Sequence, residues 1–121
     1  MIMKPNDLEG ANGAPKKNDI HVRFPENVSA VSPDQLANVE RIAAYLKSHP
    51  EASCIIKGYA SPDGNYDDNI MLANGRAESV MDLLINTFGI EAERIEAMGQ
   101  GIHNAIDELE GRVSICEIIV K

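Results

Sequence analysis

The chain has 121 residues, of which 44% are hydrophobic and 25% charged, enough for one soluble domain with a single core and too few for two. Its formal net charge of −8 excludes a protein that tracks nucleic acid, which needs a cationic face to release counterions, and argues against an anionic membrane surface. No apolar run approaches the roughly 18 to 20 residues of a membrane span, so no direct membrane insertion is expected, and Met1 to Pro5 has no apolar stretch behind it to act as a signal peptide.

Residues 1–19 are rich in Asn, Gly, Pro and Lys and lack any periodicity that could bury a face, which predicts a flexible leader or linker before a domain over 20–121. Ile20, Val22 and Phe24 then alternate with His21 and Arg23, the pattern of a half-buried strand. In "SPDQLANVERIAAYLKSHP", Ser32 is a good N-cap, Pro33 suits the first helical position and Gln35 completes a capping box. Leu36, Val39, Ile42, Ala43 and Leu46 recur at helical spacing, and Pro50 ends that helix.

"ASCIIKGYA" is a β-branched, apolar run bounded by turn signals and reads as a second strand. Ser61 to Asn65 form a turn, and a second helix runs from about Tyr66 to Phe88, closed by Gly89 as a left-handed cap. Glu93 to Met98 hold a short strand, Gly99 to Gly111 a loop, and "RVSICEIIV" the last strand. The order β-α-β-α-β-β predicts an α/β chain of the α+β sandwich type, with a mixed sheet and both helices on one face.

Ser61-Pro62-Asp63-Gly64 is sufficient as a turn on conformational grounds alone. Arg76 asks for more, because it borders the apolar stripe of its helix, where a partly desolvated guanidinium needs an acceptor. Gly75 beside it costs about 1 kcal/mol in a helix interior, a cost tolerated when something must approach the backbone closely. Spacing alone favours an ion pair from Arg76 to Asp63, Asp67 or Glu78. The position between a strand and a helix N-terminus offers the alternative: free N–H groups, the Ser61 hydroxyl and the Arg76 fork converging on a carboxylate, with Asp63, Asp67 and Asp68 near enough to hold an ammonium.

Gly58, Tyr59, Gly64, Asn69, Leu72, Arg76, Ala77 and Val80 fall at the spacings of G-[YH]-T-D-x-x-G-x-x-x-x-N-x-x-L-S-x-x-R-A-x-x-V. With the stretch from Val22 to Pro50 and "GIEAERIEAMGQG", this resembles the OmpA-like domain of outer-membrane protein A, Pal lipoproteins and MotB, over about Ile20 to Val120. The resemblance implies a noncatalytic module that binds the diaminopimelate residue of the peptidoglycan stem peptide and tethers an outer-membrane or periplasmic protein to the cell wall. Arg76 matches the family's ligand arginine, and the implied binding set is Arg76, Ser61, Asp63, Gly64 and Asn69. Ala60-Ser61 stands where the family has Thr-Asp, Ala73 where it has Ser, and Glu110-Gly111-Arg112-Val113 where it has N-R-R-V. The rival reading is therefore a scaffold or assembly domain that keeps the fold, has lost the ligand and contacts an envelope protein partner.

The remaining signals are weaker. Gly99-Gln100-Gly101 lacks a third glycine and a following helix, so a phosphate loop is not expected. His21, His49 and His103 are scattered, no nucleophile has an evident base, and nothing asks for a cofactor, a metal or catalysis. Cys54 and Cys116 read as small buried hydrophobes, with a disulfide possible only if their strands lie close together in an oxidising compartment.

Overall fold

A computed structural model of the chain describes residues 19–60, 66–102 and 112–119. The expected leader, the Ser61 to Asn65 turn and most of the loop before the last strand lie outside the described residues. Six principal elements follow in order: β1 (Asp19–Arg23), α1 (Leu36–Ser48), β2 (Ser53–Ala60), α2 (Tyr66–Asn86), β3 (Ile95–Ile102) and β4 (Val113–Ile119).

The sheet order is β1-β4-β2-β3. β4 is antiparallel to both β1 and β2, while β2 and β3 are parallel. β1 and β2 therefore run in the same direction with β4 between them, and the connection through α1 steps over one strand. This is the mixed sheet expected from the sequence.

Alternation decides which side chains meet the helices. In β2, Cys54, Ile56, Gly58 and Ala60 are buried, and the residues between them are half-buried. Val39, Ile42 and Leu46 of α1 and Ala77, Val80 and Leu84 of α2 join Ile20, Val22, Ile56 and Cys116 in one core. Both helices thus cover the same face of the sheet, each fully buried aliphatic side chain contributing about 1.5–3 kcal/mol. Gly89 takes φ 74 and closes α2, with the Ile90 amide returning to the Leu84 carbonyl at 2.9 Å.

Two local expectations are corrected. The first helix opens with a 3-10 turn over Pro33–Gln35 rather than a capping box, and Ser32 donates to Asp34 instead of capping a backbone amide. The Gln35 Oε1 accepts the backbone N–H of Arg23 at 2.9 Å. β1 is an edge strand with outward amides, and Gln35 satisfies one of them, which ties the strand to the helix. The third strand is also longer than Glu93 to Met98: pairing with β2 continues to Gly58↔Gly99, skips Gln100 and resumes at Tyr59↔Gly101. Glycines on either side of a bulged residue let an edge strand continue where side-chain pattern suggests a loop.

Cys54 and Cys116 are both buried and are not joined in a disulfide. Their strands are neighbours, but Cys54 faces Ile118 and Ile56 faces Cys116, so the two thiols lie two residues out of register. A diagonal pair of this kind does not meet disulfide geometry without backbone movement.

Candidate ligand site at the end of the sheet

The site starts from a glycine. A Cβ on Gly58 would collide with the Ala73 carbonyl oxygen and stand 2.9 Å from the Ala77 nitrogen, so α2 presses its backbone directly onto β2 there. Ala73 and Ala77 are fully buried at this crossing. The close approach delivers the intervening Arg76 to the C-terminal end of β2, beside the loop that leaves β1.

Arg76 is 0% exposed and spends three of its N–H groups on backbone carbonyls. Nε donates to Val28 O at 2.9 Å, one Nη to Tyr59 O at 2.9 Å and the other to Pro25 O at 3.0 Å. Its Cζ lies 5.3 Å from the centre of the Phe24 ring. Desolvation, reinforced by repulsion from Arg112, lowers its pKa to about 10, so it stays charged at neutral pH. Charge-assisted hydrogen bonds contribute about 1.5–3 kcal/mol each, and three of them offset a desolvation penalty of several kcal/mol. Among the described residues its acceptors are carbonyls, and the ion pairs to Asp67 or Glu78 that spacing favoured are not formed.

Gly75 supplies the second contact with the same loop. A Cβ there would stand 3.1 Å from Ser29 Cβ and 3.2 Å from Ser29 Oγ. Gly75 and Arg76 together therefore clamp residues 25–29 against α2, and Asn27 within that loop adopts φ 59, a left-handed conformation that asparagine tolerates.

The clamped loop and the first turns of α2 enclose a cleft of about 370 Å³, lined by Asn27, Ser29, Asp68, Asn69, Met71 and Leu72. Asn69 is buried, Met71 is 72% exposed at the rim, and the first-turn acids Asp67 and Asp68 complement the positive end of the helix dipole. The cleft thus offers two amides, a hydroxyl and a carboxylate beside apolar contacts. Of the residues singled out from sequence, Asp68 and Asn69 line the cleft and Arg76 sits behind the loop that forms its wall; Ser61, Asp63 and Gly64 lie outside the described residues. Asn27 and Ser29 were missed, because loop residues carry no periodicity to announce what they face.

A larger groove of about 450 Å³ runs along α1 beside Phe88, but Glu40, Arg41 and Lys47 there are exposed helix charges rather than convergent groups. Arg94, also unassigned from sequence, collects Ala52 O at 3.0 Å, Leu46 O at 2.6 Å and His49 O at 2.9 Å, tying the end of α1 to the start of β3. Among the described residues no cluster of three His, Cys, Asp or Glu side chains could hold a metal ion, and no helix is long and apolar enough to cross a membrane.

Strand order, crossing glycine and end-of-sheet cleft define a small α+β sandwich module with both helices on one face. The OmpA family model matches residues 23–114, and the chain belongs to that family. It is 30% identical over 96 residues to outer membrane porin F of Pseudomonas aeruginosa, covering 75% of this chain and 27% of that protein. It is 33% identical over 86 residues to the probable lipoprotein YiaD of Escherichia coli, covering 71% of this chain and 39% of that protein. The chain therefore spans well under half the length of these relatives. The peptidoglycan-associated lipoprotein of Burkholderia pseudomallei superposes with a TM-score of 0.72 at 25% identity, covering 82% of this chain and 89% of that one.

Proposed function

We propose that this domain is a noncatalytic module of the bacterial cell envelope that holds the peptidoglycan stem peptide non-covalently and tethers an outer-membrane or periplasmic protein to the wall. The observation that carries this reading is the cleft at Asn69, backed by a buried, charged Arg76 in a chain of the OmpA family. Similarity to a peptidoglycan-associated lipoprotein supports it. A guanidinium has five N–H groups, and Arg76 gives three to backbone carbonyls. The other two take a carboxylate of the diaminopimelate residue. In this reading Asp63 or Ser61 meets its ammonium, Gly64 belongs to the same binding set, and Asn69 braces the loop.

The test is an NMR titration of the labelled domain with a tripeptide ending in diaminopimelate. Saturable shifts at Asn27, Ser29, Asn69 and Arg76 are expected, and silence at millimolar peptide removes the reading.

One observation favours a second reading, in which the fold is kept as a scaffold for an envelope protein partner. Arg76 is wholly buried and already engaged by three carbonyls, and Ala60-Ser61 replaces the family's Thr-Asp. A melting temperature unmoved by the peptide would select that reading, because a ligand that binds only the native state must stabilise it.

A further inference from the structure

The two outer strands of the sheet carry the same small device. β1 and β3 stand at the ends of the strand order, with no strand beyond either among the described residues. Such a strand presents a row of backbone N–H and C=O groups with which another chain can pair. On β1 the Arg23 amide donates to Gln35 Oε1 at 2.9 Å, and Asn38 Nδ2 donates to the same oxygen at 3.0 Å and fixes its direction. On β3 the Gly99 amide donates to Asn74 Oδ1 at 3.0 Å. A side-chain amide from a helical segment thus covers each edge.

Gly99 makes the second cover possible. A Cβ there would overlap Asn74 Oδ1 and stand 2.8 Å from the Asn74 nitrogen, so the missing side chain is what lets Asn74 lie over the strand. Alternate residues of a strand turn both backbone groups to the same side, so with Gly99 facing outward, Ile95 and Ala97 face outward too. The Ile95 amide returns to the Ala92 carbonyl in the 3-10 turn that precedes β3. Beyond Gly99 the ladder skips Gln100, a bulge that bends the edge away. Of the outward residues from Ile95 to Gly99, only Ala97 keeps its N–H for a neighbour.

The register shows what this arrangement holds off. A second copy laid antiparallel about Ala97 sets Ala97 against its own equivalent, Gly99 against Ile95 and Glu96 against Met98, so no like charges meet along the seam. With Asn74 in place, the copies exchange hydrogen bonds at Ala97 alone, and the net charge of −8 opposes so weak a contact. A released Gly99 amide would reach the Ile95 carbonyl of the second copy, once from each side.

We propose that the edge of β3 from Ile95 to Gly99 is a self-pairing surface for a second copy of this chain, and that Asn74 holds it closed. The inference stands apart from the stem-peptide reading, since Asn74 is not among the residues lining the cleft.

The experiment is sedimentation equilibrium of the full chain over a wide concentration range. Asn74→Ala should tighten self-association by about tenfold or more, the yield of the pair of backbone hydrogen bonds that the twofold arrangement gains. Asn74→Asp keeps an acceptor oxygen and should behave as the wild type. Ala97→Pro added to Asn74→Ala removes the central N–H and should abolish the gain. Circular dichroism confirms that each variant is folded, and Asn74→Leu, which also lacks an acceptor, replaces the alanine variant if that one is not. Hydrogen exchange on the wild type adds a reading that needs no substitution: the Gly99 amide should exchange more slowly than that of Ala97, although both face outward. Equal self-association of the wild type and the acceptor-free variant overturns the inference, as does a Gly99 amide that exchanges as fast as that of Ala97.

Discussion

Ser29 rests against Gly75 with little room for a methyl group: a Cβ at Gly75 would approach Ser29 Cβ to 3.1 Å. The glycine is thus the seat on which the loop after β1 sits, and the cleft depends on it. Gly75→Ala gains about 1 kcal/mol of helix propensity and spends much of it displacing Ser29 by a few tenths of an ångström. Urea unfolding should show stability within about 1 kcal/mol of the wild type, while amide shifts concentrate in residues 25–31.

Gly58 is less forgiving, because the atom it would strike is backbone. A methyl group at Gly58 would overlap the Ala73 carbonyl oxygen, so Gly58→Ala must push α2 off the sheet. A loss of about 3 kcal/mol or more is expected, in the range of severe overpacking. A variant with near-wild-type melting would show that α2 can slide without penalty.

Arg76 is the keystone of the loop as well as the proposed ligand group. Arg76→Lys preserves the charge but cannot serve three divergent carbonyls, so it should lose about 2 kcal/mol or more in chemical denaturation. Proton exchange at the amides of the β1–α1 loop should quicken. Affinity measurements on any Arg76 variant therefore need a parallel measurement of loop order.

Ser114 carries a buried hydroxyl with no hydrogen-bond partner among the described residues. Removing an unsatisfied polar group relieves its desolvation penalty, so Ser114→Ala should be neutral or stabilising by up to about 1 kcal/mol. A clear loss of stability would show that the hydroxyl is paired in solution.

Glu91 accepts from its backbone and from Arg94 at 3.2 Å, and these interactions hold its carboxyl below the ordinary value of 4.5. A lowered folded pKa gives stability that is complete above the unfolded value and lost as pH falls through the folded one. Glu91→Gln should leave the melting temperature at pH 7 nearly unchanged, since the group is exposed, and flatten its decline below about pH 4.5. An identical acid limb in the two proteins would refute this.

Much of the fold was legible because it rests on repeating patterns. The 3.6-residue recurrence of Val39, Ile42 and Leu46 and the alternation through Cys54, Ile56 and Gly58 each state which face is buried. The end of β3 was not legible, since Gly99 to Gly101 contribute only backbone to the ladder and backbone leaves no trace in a pattern of side chains. The acceptors of Arg76 and Arg94 were hidden for the same reason. Every residue has a carbonyl, so a sequence points to carboxylates as arginine partners even where three carbonyls hold the guanidinium. Gly75 gave the one usable hint, a helix glycine with a cost to explain, but not the identity of Ser29 as what approaches it.

The strand that comes last in the sequence stands second in the sheet, holding β1 on one side and β2 on the other. Until residues 113–119 are in place, β1 has no neighbour to pair with and the sheet is split into separate pieces. The sheet therefore cannot close when β1, α1 and β2 have formed; it closes only when β4 inserts between two strands that precede it by many residues, a pairing of long sequence separation. A single strand thus acts as the latch of the whole sheet, and the edge strand β1 is held only as long as that latch is closed.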